Sequence, residues 1–178
     1  MERAELARLL EEWGEPAYRR RQALEALRRG AGGWDEVSAL PAGLRERLAG
    51  ALPFWALDPV GRSEARDGTV KWRLRAGDGA LVEAVLIPHA GGRGTVCVSS
   101  QAGCALGCHF CATGALGPGR DLTASEIVDQ AMLAAREAES AGGRLANVVF
   151  MGMGEPMQNL DAVLEACDEI HDPRGLAR

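Results

Sequence analysis

The sequence lacks the features that define several common classes of protein. No apolar run is long enough to span a membrane, and the first residues, M-E-R-A-E-L, are charged where a signal peptide would have an apolar segment. Aromatic residues make up only 4% of the chain, and its 178 residues include five cysteines. We therefore expect a cytoplasmic protein without a membrane partner, in which the cysteines serve a cofactor or catalysis and not a disulfide framework.

An excess of positive charge, which marks many nucleic-acid-binding proteins, is missing as well, since the net charge is −5. The charge is unevenly distributed: residues 1–75 carry 14 Lys or Arg against 12 Asp or Glu, and residues 76–178 carry 6 against 13. Basic side chains of the first part fall on one predicted helix (Arg19, Arg20, Arg21, Arg28 and Arg29) and along one face of a predicted strand (Lys71, Arg73 and Arg75). Both sets fit either contacts with phosphate groups or ordinary solvated faces.

The most informative stretch is C-V-S-S-Q-A-G-C-A-L-G-C-H-F-C, which spans residues 97–111. Its last three cysteines, Cys104, Cys108 and Cys111, have the spacing C-x3-C-x2-C, so one tight loop can surround a small inorganic centre with thiolates. An iron–sulfur cube has four irons, and three cysteine ligands leave one iron open to an exogenous molecule. The alternatives are a zinc site that lacks a fourth ligand, a disulfide, or ordinary buried cysteines.

Two apolar segments predict strands of a core sheet, each followed by a distinctive loop. Residues 94–100 lead into the cysteine loop, and residues 146–151 lead into G-M-G-E-P. In barrels of alternating strands and helices, the loops that follow the strands build the active site. Gly154 would let a ligand approach the backbone closely, and Glu155 would accept hydrogen bonds from an ammonium group, although the motif by itself also fits a simple turn.

Glu83 is unusual because it lies in the predicted strand L-V-E-A-V-L-I-P, whose other side chains are apolar on both faces. The strand before it alternates apolar and basic residues, and G-D-G at residues 77–79 predicts a hairpin turn between the two. We expect the Glu83 carboxylate to lose solvation, which raises the pKa of an acid towards that of a usable base. The alternative is a glutamate at a strand edge that reaches water.

These motifs resemble one branch of a known family. The spacing C-x3-C-x2-C with Phe110 before the last cysteine is the signature of radical S-adenosylmethionine (SAM) enzymes. The wording V-C-V-S-S-Q-A-G-C-A-L-G-C-H-F-C-A-T-G, followed by V-V-F-M-G-M-G-E-P, is similar to the RlmN/Cfr branch of adenine methyltransferases. The resemblance extends over essentially the whole chain, which stops where the family's barrel still has several units to come. We therefore expect an incomplete part of such a protein.

The resemblance implies an α/β fold, namely the start of a radical SAM partial (β/α) barrel that follows a small helical domain and a β-hairpin segment. It implies two cofactors, a [4Fe-4S] cluster and SAM. By the same resemblance the cluster ligands are Cys104, Cys108 and Cys111, and the residues that bind the amino group of SAM are Gly154 and Glu155.

The implied reaction is methylation of C2 of a specific adenine in 23S rRNA and in tRNA, next to the anticodon, through a methyl-cysteine intermediate. In this scheme a radical made from a second SAM activates the methyl group, and Glu83 is the proton acceptor for the C2 proton. Cys97 is the resolving cysteine, which releases the methylated RNA as a disulfide bond forms. No residue matches the methyl-carrying cysteine, so we expect these 178 residues to be inactive in RNA methylation by themselves. The alternatives are C8 methylation of the Cfr type and a zinc-bearing RNA-binding module without enzymatic activity.

We expect three segments along the chain. Residues 1–56 form a helical accessory domain that contacts RNA, with helices at 2–12, 17–29 and 42–51. Residues 57–93 form the strand extension with the proton acceptor, and residues 94–178 form the first strand–helix units of the barrel. The expected partners are 23S rRNA, tRNA and an electron donor such as flavodoxin or ferredoxin, and the full-length protein is expected to be a monomer.

Overall fold

The computed structural model describes residues 3–172. The helices of this part of the chain are α1 (Arg3–Glu12), α2 (Tyr18–Arg28), α3 (Ala42–Ala51), α4 (Ala112–Ala115), α5 (Ala124–Ser140) and α6 (Leu160–Ile170). The strands are β1 (Leu57–Glu64), β2 (Val70–Ala76), β3 (Leu81–His89), β4 (Arg93–Cys97), β5 (Gln101–Ala102), β6 (Arg120–Asp121) and β7 (Arg144–Val149). Short 3-10 turns lie at Trp34–Glu36 and Pro156–Asn159. The start predicted for the first helix at residue 2 lies outside the described residues.

The first three helices pack their apolar faces together. In α1 the leucines that point inward are Leu6, Leu9 and Leu10, which recur at helical spacing. The Trp34 and Phe54 rings meet edge to face with centroids 5.1 Å apart, and the Trp34 indole N–H donates to the carbonyl of Leu52 at 2.7 Å. The buried apolar side chains of residues 6–54 thus form one cluster, and those of residues 57–170 form a second. The division into segments at residues 56 and 93 stays a prediction.

A five-stranded sheet with the order β1-β2-β3-β4-β7 forms the centre of the second cluster. Strands β1 to β4 pair antiparallel with their neighbours, and β4 pairs parallel with β7. Burial alternates along β2, because its apolar side chains point to the face that the helices cover and its basic side chains point to the other. The apolar face is buried under α5 and α6, and the opposite face is open in the described chain.

The unit β4–α5–β7 positions the loops that matter for function. Helix α5 begins with a reciprocal capping box, in which the Thr123 hydroxyl accepts the Glu126 N–H at 3.2 Å and the Glu126 carboxylate accepts the Thr123 N–H at 2.9 Å. Because β4 and β7 are parallel neighbours, their carboxyl ends meet at one edge of the sheet. The cysteine loop follows β4 and G-M-G-E-P follows β7, so both loops arise at this edge.

Most predicted elements are confirmed, with two kinds of difference. Strand β1 and the short β5–β6 pair were not predicted, since their sequences lack apolar alternation, and neither was the four-residue helix α4. The predicted strands at 94–100 and 146–151 end earlier than expected, at Cys97 and Val149. None of the described helices has the length and apolarity to cross a bilayer.

Candidate cluster and cofactor site

The cysteine loop is closed at its base by two glycines. Strand β5 pairs antiparallel with β6, and the intervening residues 103–119 contain the three cysteines. A Cβ on Gly119 would lie 1.4 Å from the carbonyl oxygen of Ala102, and a Cβ on Gly103 would lie 2.8 Å from the backbone nitrogen of Gly119. The two ends of the loop therefore touch through bare backbone, which any side chain at these positions would force apart.

The three cysteines differ in exposure within this loop. Cys104 is 9% exposed and its N–H donates to the carbonyl of Gly117 at 3.0 Å. Cys108 is exposed, and its carbonyl accepts the N–H of Cys111 at 2.9 Å, so these two cysteines lie in one tight turn. Among residues 3–172 no three Cys, His, Asp or Glu side chains converge into a metal site. The loop thus carries the three thiols without holding them in ligand geometry.

Cys111 has the chemistry of a thiolate ligand. Hydrogen bonds from the backbone N–H groups of Gly114 and Thr113 lower the pKa of the Cys111 thiol, with a smaller opposing effect from desolvation. The thiolate is the form that binds metal, and it favours iron–sulfur centres and zinc. This donor set fits a [4Fe-4S] cluster with three protein ligands. Phe110 is 93% exposed and covers no part of the loop in this arrangement.

The G-M-G-E-P loop packs against the base of the cysteine loop. The backbone N–H groups of Ser100 and Gln101 both donate to the carbonyl of Met153, at 2.8 and 3.2 Å. Gly154 has a φ of +98°, and a Cβ there would lie 2.6 Å from both the Cβ and the backbone nitrogen of Gln101. Gly152 is equally confined, because a Cβ there would lie 2.7 Å from the Val98 carbonyl oxygen. The fit requires glycine at both positions.

Glu155 is held at both its backbone and its side chain. Its N–H donates to the Oε1 atom of Gln101 at 2.9 Å, and its own Oε1 atom accepts the N–H of Met157 at 3.0 Å, which caps the 3-10 turn that follows. The residue is half-buried at the same sheet edge as the cysteine loop. A carboxylate fixed in this way is suited to accept hydrogen bonds from the ammonium group of an amino acid.

Glu83 and Cys97 lie on the same, open face of the sheet. Val85 is the direct partner of Cys97 across β3 and β4, and Glu83 is two positions from Val85 along β3. In an antiparallel pair such a diagonal relationship corresponds to about 7 Å between the residues. Strand register therefore brings together two side chains that are 14 positions apart in sequence, as the prediction of a shared site requires.

The prediction that the Glu83 carboxylate loses solvation is wrong. Its side chain is 46% exposed, and a carboxylate oxygen lies 3.1 Å from the ammonium nitrogen of Lys71. The neighbours on its face, Leu81 and Val85, are exposed and half-buried, because no helix covers this side of the sheet in the described chain. Sequence alone suggested burial because both faces of the strand are apolar.

Cys97 is half-buried at the end of β4. Burial raises the pKa of its thiol, and a hydrogen bond from the backbone of Met151 lowers it by less. A cysteine in this environment is protonated at neutral pH, so it must lose its proton before it can act as a nucleophile.

A buried serine that sequence reasoning missed connects these elements. The Ser99 hydroxyl donates to the backbone carbonyl of Glu83 at 2.6 Å and accepts the N–H of Met153 at 2.9 Å. The side-chain amide of Gln130 holds the backbone of Ser99, with 2.8 Å from the Ser99 N–H to Oε1 and 3.0 Å from Nε2 to the Ser99 carbonyl. The only sequence signal was the run of polar residues directly after an apolar strand.

Arg120 joins the β2–β3 turn to the exit of the cysteine loop. Its guanidinium pairs with Asp78 in the turn and with the nearly buried Glu126 of α5, the latter at 2.7 Å. Arg120 also holds the pKa of Asp78 at about 2. As predicted, the basic side chains of β2 share one exposed face, which is also the face of Glu83.

Comparison with known proteins gives consistent results. Residues 98–174 match the family model of the radical SAM superfamily. The chain is 47% identical over 173 residues to the dual-specificity RNA methyltransferase RlmN of Syntrophobacter fumaroxidans. That alignment covers 94% of this chain and 50% of the relative. The chain is 46% identical over 179 residues to the probable dual-specificity RNA methyltransferase RlmN of Chloroflexus aurantiacus, and this alignment covers 97% of this chain and 47% of the relative.

A solved structure, of a radical SAM methyltransferase from Sphaerobacter thermophilus, superposes with a TM-score of 0.88 at 45% identity over 99% of this chain and 52% of that one. The predicted fold class, the start of a partial barrel, is thereby confirmed. The chain spans about half the length of the curated relatives it matches.

Proposed function

We propose that this chain acts in an RNA methyltransferase, because residues 98–174 match the radical SAM superfamily and the chain is similar to about half the length of RlmN-type proteins. The substrates are 23S rRNA and tRNA, and the reaction is methylation of an adenine at C2, in tRNA next to the anticodon. One observation carries the proposal: the three-cysteine loop and the Gly154–Glu155 loop arise side by side from the parallel strands β4 and β7.

In this proposal Cys104, Cys108 and Cys111 hold a [4Fe-4S] cluster, and Gly154 and Glu155 hold the amino group of SAM. The lowered pKa of the Cys111 thiol supports metal binding by the loop. When bound, the two cofactors supply the one-electron chemistry that methylation of an electrophilic aromatic carbon needs. Reduction requires an electron donor such as flavodoxin or ferredoxin.

Glu83 accepts the proton that leaves C2 of the adenine. Its exposed position on the open face lets a nucleobase reach it, and Lys71 keeps the carboxylate in place at 3.1 Å. Cys97 then attacks the sulfur that carried the methyl group, after losing its proton, and the RNA is released as a disulfide forms. The diagonal register of Glu83 and Cys97 allows both to act on one bound base.

The cysteine that carries the methyl group has no counterpart among these residues. Besides Cys97 and the three loop cysteines, the chain has Cys167, which lies on α6 beside Ile170 and lines a pocket on the helix-covered side of the sheet. We therefore propose that the 178 residues alone do not complete the methyl transfer.

Residues 1–56 contact the RNA, and the whole protein works as a monomer in the cytoplasm.

The test is anaerobic reconstitution of the purified chain with iron and sulfide in one sample and with zinc in another. We expect about four irons and four sulfides per chain, the number in one cube, and reductive cleavage of SAM to 5′-deoxyadenosine. A double variant, Cys104→Ala with Cys108→Ala, is the matched control and should retain neither iron nor cleavage. Preferred uptake of zinc would overturn the proposal in favour of a zinc-bearing RNA-binding module.

The position of methylation requires the full-length protein. Mass spectrometry of the modified adenosine, released from 23S rRNA and tRNA, should find the methyl group at C2. A methyl group at C8 would replace the proposed reaction with that of the Cfr type.

A further inference from the structure

We propose that Gln101 is a positioning residue that fixes the Gly154–Glu155 segment beside the cysteine loop and thereby sets the affinity of the site for SAM. The proposal rests on the proposed function of that site, and it adds a residue that the motifs did not single out. Gln101 lies in β5, at the base of the loop, and is only 9% exposed.

The side-chain amide of Gln101 joins two different segments of the chain. Its Nε2 atom donates to the Asp121 carboxylate at 2.8 Å, and its Oε1 atom accepts the N–H of Glu155 at 2.9 Å. Asp121 is also its direct partner across the β5–β6 pair. One buried amide thus links the entry and exit strands of the cysteine loop to the residue proposed to receive the ammonium group of SAM.

The backbone of Gln101 enforces the same contact. Its N–H donates to the carbonyl of Met153 at 3.2 Å, and Gly154 packs so closely that an added Cβ would lie 2.6 Å from Gln101. The cysteine loop begins two positions later, at Gly103, where a positive φ of +106° and contact with Gly119 fix the chain direction. A displacement of Gln101 would therefore change the separation between the cysteines and Glu155.

The hydrogen bond to Glu155 controls where the Glu155 carboxylate points. With Gln101 in place, the backbone of Glu155 is pinned from one side and its carboxylate is pinned by Met157 from the other. Without the acceptor oxygen, a half-buried N–H loses its partner, and the segment must move to rehydrate it. A buried polar group therefore fixes the geometry here, where a side chain of similar size without the acceptor would only fill space.

The test uses three variants of the chain: Gln101→Ala, Gln101→Glu, and Gln101→Glu combined with Asp121→Asn. The single glutamate keeps the acceptor for Glu155 but faces the Asp121 carboxylate, so the two acids repel each other. The double variant restores the link with its direction reversed, because the amide at position 121 then donates to the carboxylate at position 101. The matched control is Trp34→Phe, which removes a buried N–H that donates to the carbonyl of Leu52 in the helical segment and contacts neither of the two loops.

Two measurements separate positioning from general stability. The first is hydrogen exchange of the Glu155 amide by NMR in the metal-free chain, which requires no cofactor. The second is the Kd for SAM at equal iron content and well below the Tm of each variant, together with the change that SAM causes in the electron paramagnetic resonance spectrum of the reduced cluster.

We expect Gln101→Ala to accelerate hydrogen exchange of the Glu155 amide by about tenfold or more and to weaken SAM binding by about tenfold. Both effects correspond to the loss of the one hydrogen bond by which the Gln101 side chain holds the Glu155 backbone. Gln101→Glu should bind SAM as weakly, and the double variant should recover to within about threefold of the unaltered chain. Trp34→Phe should lower the Tm and leave the Kd within the same range.

Undiminished SAM affinity in Gln101→Ala would overturn the positioning role, as would an equal loss of affinity in Trp34→Phe. If the unaltered chain with a full cluster binds no SAM, the proposed function fails, and the role of Gln101 in SAM affinity fails with it. The exchange rate of the Glu155 amide still reports whether Gln101 holds this segment, because it is measured without any cofactor. The failure of the proposed function and the failure of the Gln101 contact are therefore distinguishable.

Discussion

The carboxylate of Asp129 accepts a hydrogen bond from the backbone N–H of Ala56, 73 positions earlier in the chain. It also accepts the N–H of Leu57 at 3.3 Å, so a buried acid on α5 holds the start of β1. Ala56 and Leu57 lie where the chain passes from the first apolar cluster to the second. The preceding residue, Trp55, packs against both clusters. This contact joins the segment that follows the third helix to the helix that covers the sheet.

Stability should fall as pH rises through the range in which Asp129 ionises. Desolvation raises the pKa of Asp129 to about 6, and the positive charge of Arg3 offsets part of this effect. Because the folded protein holds the proton more tightly than the unfolded chain, the stabilising contribution is complete below about pH 4 and is lost as pH rises to about 6. A shift of this size corresponds to about 3 kcal/mol.

Asp129→Asn should remove this dependence, because the amide oxygen can still accept both N–H groups and carries no charge. We expect a free energy of unfolding that is flat between pH 4 and 7 and higher than that of the unaltered chain at pH 7, measured by urea denaturation. Asp168→Asn, on the exposed side of α6, is the control and should keep the original slope. A slope retained in Asp129→Asn would show that another group titrates.

The fold was largely predictable because its periodic elements are long. The helices predicted at residues 17–29 and 42–51 appear within one residue of their expected bounds, and the predicted alternating strand that carries Lys71, Arg73 and Arg75 forms as β2. Strand β1 was missed because Pro59 and Gly61 interrupt any alternation, and its register shifts between them. Its pairing is set by the neighbouring strand and not by its own pattern.

The site was predictable as motifs but not as a network. Spacing identified the three cysteines, and the loop after an apolar strand identified Glu155. The contacts of Ser99 and Gln101 join segments 54 positions apart, and no local pattern reports them. Glu83 was misjudged for a related reason: whether an apolar face is buried depends on which helices cover it.

Loss of cluster ligands should separate the five cysteines into two classes. Single substitutions Cys104→Ala, Cys108→Ala and Cys111→Ala should each reduce bound iron and sulfide by most of the unaltered value after anaerobic reconstitution, since the cube depends on all three thiolates. Two further variants serve as controls with the same chemistry: Cys97→Ala and Cys167→Ala should retain the full complement. Loss of iron in either control would place a fourth ligand outside the proposed triplet.

The basic face of β2 should contribute to RNA binding through phosphates. A triple substitution of Lys71, Arg73 and Arg75 by Ala should lower the slope of log Kd against log salt by about 2 for a tRNA anticodon stem-loop, at about 0.7 to 0.9 per lost phosphate contact. Arg62→Ala is the control, because that side chain already pairs with Glu137 at 2.7 Å. An unchanged slope in the triple variant would assign this face to solvent.

Gly154 should tolerate no side chain, for two separable reasons. Its φ of +98° disfavours any L-residue by about 1 to 2 kcal/mol, and a Cβ would also collide with Gln101 at 2.6 Å. Gly79 isolates the first effect, because its φ is +88° and a Cβ there meets nothing within 4 Å. We expect Gly79→Ala to lower the free energy of unfolding, measured by urea denaturation, only by the backbone contribution and to leave the Kd for SAM unchanged in the reconstituted chain.

Gly154→Ala should lower the free energy of unfolding more than Gly79→Ala does and weaken SAM binding more than tenfold, since the clash pushes Glu155 away from the cysteine loop. Equal effects of the two substitutions would mean that the close contact with Gln101 does not constrain the site.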